Sequence, residues 1–157
     1  MEQQYKIYMD VCCLNRPFDD WKQPRIRLEA EAVLEIAAKC QANQWQLVSS
    51  TALESEIAKT PDLLTRERVM ASLQIAKTKL MVNVEMLERA KELVVLGFKS
   101  FDALHLSCAE SANVDIFLTT DDRLLRKALA NQAPLKVSVA NPVQWFMEID
   151  RVEGEQE

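Results

Sequence analysis

Short apolar runs alternate along this chain with longer segments in which apolar residues recur every three or four positions. Residues 6–9 form the first short run and have the character of a strand. Farther along, Val33, Ile36 and Cys40 fall at i, i+3 and i+7, which places them on one face of a helix. The run 114–118 is the clearest strand. The hydrophobic pattern therefore predicts strands and helices in alternation.

The hydrophobic pattern predicts five strands, over about 6–9, 45–48, 80–82, 114–118 and 137–139. It predicts seven helices, over about 24–43, 51–59, 63–78, 85–97, 100–112, 122–130 and 142–149. The segment 11–23 contains a proline, an asparagine and two aspartates, and is predicted to be a loop or a broken helical turn. Because helices separate the strands, we expect crossover connections and an α/β fold: a three-layer α/β/α sandwich with a parallel sheet of four or five strands.

The chain has 157 residues, which suits one domain, since domains most often have roughly 100–150 residues. We expect residues 1–150 to form this domain and residues 151–157 to be a frayed acidic tail. No apolar run reaches the roughly 18 residues of a membrane helix. The first residues also lack the basic stretch and apolar core of a secretion signal, so a cytoplasmic protein is expected.

Charge and residue counts exclude several classes of function. The net charge of −5 argues against a protein that coats nucleic acid by bulk charge, but it allows a cation to bind at an acidic cleft. The four cysteines form no C-x-x-C motif and are expected to be reduced. His105 is the only histidine, which excludes metal sites built from two histidines. It is expected to be a packed or hydrogen-bonded helix residue.

Carboxylates follow the predicted strands at one edge of the sheet, where ligands of open parallel sheets bind. They come from four separate segments: Asp10, Glu54 with Glu56, Asp102, and Asp121 with Asp122. Ionised carboxylates that meet raise one another's pKa unless a cation balances them. Oxygen ligands favour Mg²⁺ or Mn²⁺, and such an ion supports phosphodiester hydrolysis. The alternative is that each aspartate only caps a helix or forms a turn.

Four short segments carry a family resemblance: KIYMDVCCLNRPFDD, VSSTALESEI, SFDALHLSCAE and FLTTDDRLLRKA. Taken together and in this order, they resemble PIN-domain nucleases, the family that includes the toxin halves of VapBC toxin–antitoxin pairs. The resemblance implies a parallel α/β/α sandwich with a Mg²⁺- or Mn²⁺-dependent site that cleaves single-stranded RNA. It also implies an RNA substrate, an antitoxin protein as partner and a homodimer.

The resemblance assigns roles to particular residues. The catalytic residues implied are Asp10, Glu56, Asp102 and Asp121, and the metal ligands among them are Asp10, Asp102 and Asp121. Glu56 matches the family's Glu before an aliphatic residue, whereas Glu54 lies about 200° away around the helix and cannot face the same ion. Supporting roles fall to Asn15, Glu54 and Asp122. Cys12 departs from the family, which usually has Asn, Ser or Thr two residues after its first aspartate.

A basic cluster with Trp21 follows the first aspartate: Arg16, Lys22, Arg25 and Arg27. Basic side chains beside an aromatic ring suit the backbone and bases of single-stranded RNA. The alternative is a solvated surface balanced by neighbouring aspartates. Similarly, Arg123, Arg126 and Lys127 are either phosphate contacts or ordinary exposed helix residues.

Two other functions fit parts of the pattern. The first is a PIN-fold binding or regulatory module with weakened catalysis, an alternative that depends on Cys12. The second is another phosphate enzyme, such as a response-regulator receiver or a haloacid-dehalogenase-like phosphatase. Such phosphatases usually have a D-x-D motif, and Asp10-Val11-Cys12 lacks its second aspartate.

Overall fold

A computed structural model describes residues 3–156, and its five strands form one parallel sheet in the order β3-β2-β1-β4-β5. The strands are β1 (Lys6–Met9), β2 (Gln46–Ser50), β3 (Thr78–Leu80), β4 (Ile116–Leu118) and β5 (Val139–Ala140). In the centre, Ile7 of β1 lies opposite Leu47 on one side and Ile116 on the other. The predicted α/β/α sandwich with a parallel sheet is confirmed.

The strands are joined by helices that form the outer layers. They are α1 (Val11–Asn15), α2 (Pro24–Gln41), α3 (Thr51–Ile57), α4 (Leu63–Ser72), α5 (Val84–Val95), α6 (Ser100–Ser111), α7 (Asp122–Ala130) and α8 (Pro142–Gln156). The segments Arg16–Phe18 and Leu73–Ile75 are single 3₁₀ turns. Helix α2 packs against α8, while α6 packs against α5 and α3. None of the helices in the described residues is long and apolar enough to cross a membrane.

The central strand β1 is the middle of the core. Ile7, Tyr8 and Met9 are all buried, and the Tyr8 ring stacks on Phe117 of β4 with ring centroids 5.3 Å apart. A strand with neighbours on both sides and helices on both faces buries every side chain, which explains its continuous apolar run. Asp10 ends this run, so the first polar side chain after the strand stands at the rim of the core.

Local sequence signals set where several helices begin. Ser50 caps α3, because its Oγ accepts a hydrogen bond from the Leu53 N–H at 3.0 Å, within the cap predicted at 49–51. Asp10 and Asp121 cap α1 and α7 in the same way. The chain after α5 turns at Gly97, whose φ of 109° is a conformation that glycine adopts readily.

Some predicted elements differ in extent from those in the structure. The segment 11–23 contains helix α1 and a 3₁₀ turn, which agrees with the predicted broken helical turn rather than with a loop, because the Asp10 cap starts the helix. Strand β3 begins two residues earlier than predicted, since its pairing with Val48–Ser50 sets its bounds. Helix α8 continues through 151–156, where a frayed tail is predicted, and Arg151 pairs there with Glu148 and Glu155 along one helix face. Residue 157 lies outside the described residues.

Candidate active site

The strand order reverses at β1, and this reversal creates a crevice. The chain passes from β1 to β2 and β3 on one side, then returns to place β4 and β5 on the other. In open parallel sheets, ligands bind at such a reversal, beyond the carboxyl ends of the two strands. Asp10 follows β1 directly, and its N–H donates to the Leu118 carbonyl at the end of β4, at 3.2 Å. The loop with Asp121 therefore begins beside Asp10.

Asp10 is buried, with only 5% of its surface exposed. Its Oδ1 accepts hydrogen bonds from the Cys13 N–H at 3.1 Å and the Cys12 thiol at 2.9 Å. Burial raises the pKa of this carboxyl, while the hydrogen bonds act in the opposite direction. Asp10 is thus both the cap of α1 and a desolvated acid.

Asp102 lies in the first turn of α6 and is the most informative of the acids. Burial raises its pKa to about 6, and the negative charges of Asp10, Asp121 and Glu56 contribute to the rise. No residue in the described part of the chain donates a hydrogen bond to its carboxylate, and the N-cap position of α6 is Lys99. A side-chain capping bond therefore does not account for Asp102, and the charges of the other three acids predicted from sequence act on it.

Asp121 is the N-cap of α7. Its Oδ1 accepts hydrogen bonds from the N–H groups of Arg123 at 2.9 Å and Leu124 at 3.4 Å. This is the capping role that the sequence suggested as an alternative. Because the charge of Asp121 also raises the pKa of Asp102, the residue combines a structural role with a place beside the other acids.

Glu54 and Glu56 have different partners on the short helix α3. The carboxylate of Glu54 pairs with Lys79 of β3 at 2.7 Å, whereas Glu56 Oε1 lies 2.9 Å from His105 Nε2. Of these two glutamates, only Glu56 is among the charges that raise the pKa of Asp102. The structure thus associates Glu56 with the acids and directs Glu54 to the edge strand.

A buried chain of hydrogen bonds holds Glu56 in place. His105 is 1% exposed, and its Nδ1 lies 2.7 Å from the Tyr8 hydroxyl, which in turn lies 2.8 Å from Ser50 Oγ. One set of hydrogens satisfies every group: Ser50 donates to Tyr8, and Tyr8 donates to Nδ1. The Nε2–H of His105 then donates to the Glu56 carboxylate. His105 is thus a hydrogen-bonded helix residue, as the sequence suggested.

Cys12 occupies the position at which the sequence departs from the PIN pattern. Its thiol donates to Asp10, and its sulfur accepts from the Thr120 N–H at 3.4 Å. Burial, followed by the charge of Asp10, raises the pKa of this thiol to about 12. A thiol that keeps its proton is a hydrogen-bond donor to Asp10 and is poorly suited to redox chemistry.

The chain is similar to one characterised family. The model of the PIN domain matches residues 7–129. The chain belongs to the PIN domain family. A comparison with curated proteins finds no match. PIN domains have a nuclease fold, act on nucleic acid and generally depend on divalent metals, and the matched span contains all four acids discussed above.

The predicted basic cluster of this PIN domain is largely engaged within the protein. Arg16 pairs with Glu29 and Asp19, and Arg25 pairs with Glu29 and Asp122. Lys22 and Arg27 are exposed and have no ion pair among residues 3–156. Asp122, for which a supporting role was predicted, therefore faces Arg25.

A different set of cations lines a cavity of about 540 Å³ that also includes Asp102 and Asp121. They are Lys99, Arg123, Arg126 and Lys127. All four are exposed, and none has an ion pair among the described residues. Lys99 is not among the residues singled out from sequence, because its place in this cavity depends on two segments that are distant along the chain.

The acids of the PIN domain fit a divalent cation by their chemistry. The donors are carboxylate oxygens, the type that Mg²⁺ and Mn²⁺ prefer. Burial first, and then the charges of Asp10 and Asp121, raise the pKa of Asp102. Two further oxygens, Asn15 Oδ1 and Thr120 Oγ1, are buried without a hydrogen-bond partner among the described residues. Within those residues, no three Asp, Glu, His or Cys side chains lie close enough together to form a metal site.

Proposed function

We propose that this PIN domain is a Mg²⁺- or Mn²⁺-dependent endoribonuclease that cleaves single-stranded RNA. The proposal assigns catalysis to Asp10, Glu56, Asp102 and Asp121. The observation that carries it is the placement of the acids: Asp10 follows the central strand β1, and Asp102 and Asp121 line one cavity. Burial, together with the charges of the other three acids, raises the pKa of Asp102, which makes this placement costly unless a cation offsets the charge.

In this proposal Asp10, Asp102 and Asp121 would hold the ion, which would supply Lewis-acid activation of a water and charge balance for the leaving oxygen. Hydrolysis joins the water oxygen to phosphorus and breaks one phosphorus–oxygen bond of the RNA backbone, and a proton of the water ends on the leaving oxygen. The protein contributes the orientation of the acids. Cys12 and the Cys13 N–H orient Asp10, and His105 orients Glu56. Asn15 and Thr120 contribute buried oxygens that have no hydrogen-bond partner within residues 3–156.

We infer that the RNA backbone lies along the cavity between α6 and α7. Lys99, Arg123, Arg126 and Lys127 line it together with two of the acids, and they are unpaired within residues 3–156. A phosphate beside the scissile one then meets these cations. This path differs from the one predicted through the segment 16–27. There, Arg16 and Arg25 are occupied by carboxylates, and Lys22 and Arg27 are left as the candidate RNA contacts.

Cleavage of a fluorescent single-stranded RNA, with and without Mg²⁺ or Mn²⁺, tests the proposal. We expect activity that needs the metal and falls by more than about 100-fold in Asp10→Asn and Asp121→Asn, since even outer-shell changes typically cost 10- to 100-fold. Glu148→Gln, which changes an exposed acid of α8, is the matched control and keeps full activity. Metal-independent cleavage, or full activity of Asp10→Asn, would contradict the proposal.

The alternative of a weakened binding module also has a structural basis, because a thiol occupies the position of Cys12. It predicts that the wild-type protein binds RNA without cleaving it and that Cys12→Asn gains cleavage. The toxin role, the antitoxin partner and the homodimer derive from the family resemblance. Induced expression tests the toxin role, which requires growth arrest by the wild-type protein and none by Asp10→Asn.

A further inference from the structure

A fully buried carboxylate lies on α2, outside the acid cluster. Glu29 is only 2% exposed, and three side chains from different parts of the chain donate to it. The donors are Arg16 Nε at 2.9 Å, Arg25 Nε at 3.3 Å and Asn141 Nδ2 at 2.7 Å. A buried carboxylate is stable only when it is paired and hydrogen-bonded in this way. Glu29 therefore joins the turn after α1, helix α2 and the end of β5.

Arg25 extends this connection to the loop that contains Asp121. Its Nη1 and Nη2 each donate to one oxygen of Asp122 at 2.8 Å, and Nη2 also donates to the Thr120 carbonyl at 3.1 Å. With the bond to Glu29, four of the five N–H donors of the guanidinium are used within the protein. The two residues that Arg25 holds on this loop lie immediately before and after Asp121.

We propose that Glu29 and Arg25 are positioning residues that set the place of Asp121 relative to the rest of the acid cluster. The inference deepens the proposed nuclease function and depends on it for its biological meaning. Glu29 provides the fixed point, because it is buried and accepts hydrogen bonds from three side chains in separate segments. Arg25 transmits that position through a planar fork, which binds a carboxylate in one orientation where a flexible ammonium would not.

The ion pair between Arg25 and Asp122 is expected to position the loop rather than to stabilise the fold. The side chains of Arg25 and Asp122 are 53% and 50% exposed, and ion pairs so open to solvent contribute little to stability. Their geometry nevertheless fixes both neighbours of Asp121. Breaking the pair should leave the fold intact and loosen the loop, which separates the two roles experimentally.

Amide hydrogen exchange, resolved by NMR on the metal-free protein, tests the positioning directly. Asp121 Oδ1 accepts from the N–H groups of Arg123 and Leu124, so their exchange rates report on this loop. In Arg25→Met and Asp122→Asn we expect both amides to exchange roughly tenfold faster, because exchange follows local opening of the loop and the lost charge-assisted hydrogen bonds no longer oppose it. Arg25→Lys, which keeps the charge beside Glu29 but loses the fork, should give an intermediate rate.

The matched control is Arg151→Met, since Arg151 makes a similarly exposed pair with Glu148 on α8, at 55% and 59%. It should leave exchange at Arg123 and Leu124 unchanged. Wild-type exchange rates in both Arg25→Met and Asp122→Asn would overturn the proposal, as would equal acceleration in the control. The test changes only the half-exposed pair of Arg25 and Asp122 and leaves the buried Glu29 in place. Its outcome therefore does not depend on a variant that fails to fold.

A second measurement separates this proposal from the nuclease function. If the protein cleaves RNA, Arg25→Met should lower kcat and Mn²⁺ affinity by about tenfold while KM for RNA stays near the wild-type value. A higher KM with unchanged kcat would instead make Arg25 an RNA contact and overturn the positioning role. If the wild-type protein neither binds metal nor cleaves RNA, the nuclease function fails, whereas the exchange rates still decide whether Arg25 positions the loop.

Discussion

Replacing Asp102 with asparagine is expected to stabilise the metal-free protein near pH 7.5. The carboxyl of Asp102 has no hydrogen-bond donor among the described residues, and burial together with the charges of Asp10 and Asp121 raises its pKa. An asparagine of nearly the same shape removes the charge and leaves the packing in place. Most substitutions destabilise a protein, so a gain here is a specific test of the unbalanced charge.

The size of the effect follows from the pKa. The rise from 3.8 to about 6 is roughly two units, and each unit corresponds to about 1.4 kcal/mol. A fully buried carboxyl would therefore destabilise the fold by about 3 kcal/mol when ionised. Because Asp102 is only partly buried, solvent screening reduces this figure, and we expect Asp102→Asn to gain about 1–2 kcal/mol.

The gain depends on pH in a defined direction. Between about pH 4 and pH 6 the folded protein binds the Asp102 proton more tightly than the unfolded chain does. The contribution of Asp102 to the free energy of unfolding therefore falls as the pH rises through this window. Asp102→Asn lacks this term, so its advantage over the wild type should be small near pH 4 and complete by about pH 7.

Urea denaturation in EDTA at pH 4.5, 6 and 7.5 measures the difference in the free energy of unfolding. Glu85→Gln is the control, since Glu85 is an exposed acid in the first turn of α5. Neutralising Glu85 should lower the free energy of unfolding by about 0.3–1 kcal/mol, because the favourable interaction of its charge with the helix dipole is lost. Saturating Mn²⁺ should reverse the order for Asp102, because the wild type gains about 2.7 kcal/mol at 100 times Kd. A loss of stability in Asp102→Asn at pH 7.5 would refute the argument and make Asp102 a structural helix-start residue.

Three further substitutions test other parts of the site. Tyr8→Phe leaves His105 Nδ1 without its buried partner and should lower the free energy of unfolding by about 1–3 kcal/mol in urea denaturation; an unchanged value would contradict the buried network. Cys12→Ala removes a donor to the first acid and should weaken Mn²⁺ binding roughly tenfold by calorimetry, whereas Cys12→Ser should bind as the wild type does. Gly97→Ala places a Cβ 2.9 Å from Lys127 Nζ at a positive φ and should cost about 1 kcal/mol in thermal denaturation, a loss that Gly154→Ala should not share.

The order of strands and helices could be predicted from the sequence because it depends on local patterns. Apolar runs and helical periodicity are visible residue by residue, and the parallel sheet follows from their alternation. The position of the acids could also be predicted, since Asp10 and Asp121 directly follow strands whose ends share one edge. The sequence left a loop or a broken helical turn open for the segment 11–23, because one capping hydrogen bond to Asp10 decides between them.

The partners of the charged side chains could not be predicted, because they come from distant segments. The family resemblance favours Glu56 over Glu54, but it does not give their partners, which are His105 and Lys79. Similarly, Arg25 and Glu29 have the i, i+4 spacing of an ordinary surface pair. Nothing in that spacing indicates that Glu29 is buried, since its burial is a consequence of how α2 packs against the neighbouring elements.

Burial also decides which cations are available to a nucleic acid. If a guanidinium leaves a buried carboxylate, the carboxylate stays buried without its partner, which is costly. Arg16 and Arg25 are paired with Glu29 in this way and cannot readily turn to a phosphate. The cations of the cavity between α6 and α7 pair with no carboxylate among the described residues. Two groups of cations that look alike in sequence therefore differ in the structure: Arg16 and Arg25 are held by carboxylates, whereas the cations of the cavity are available to a nucleic acid.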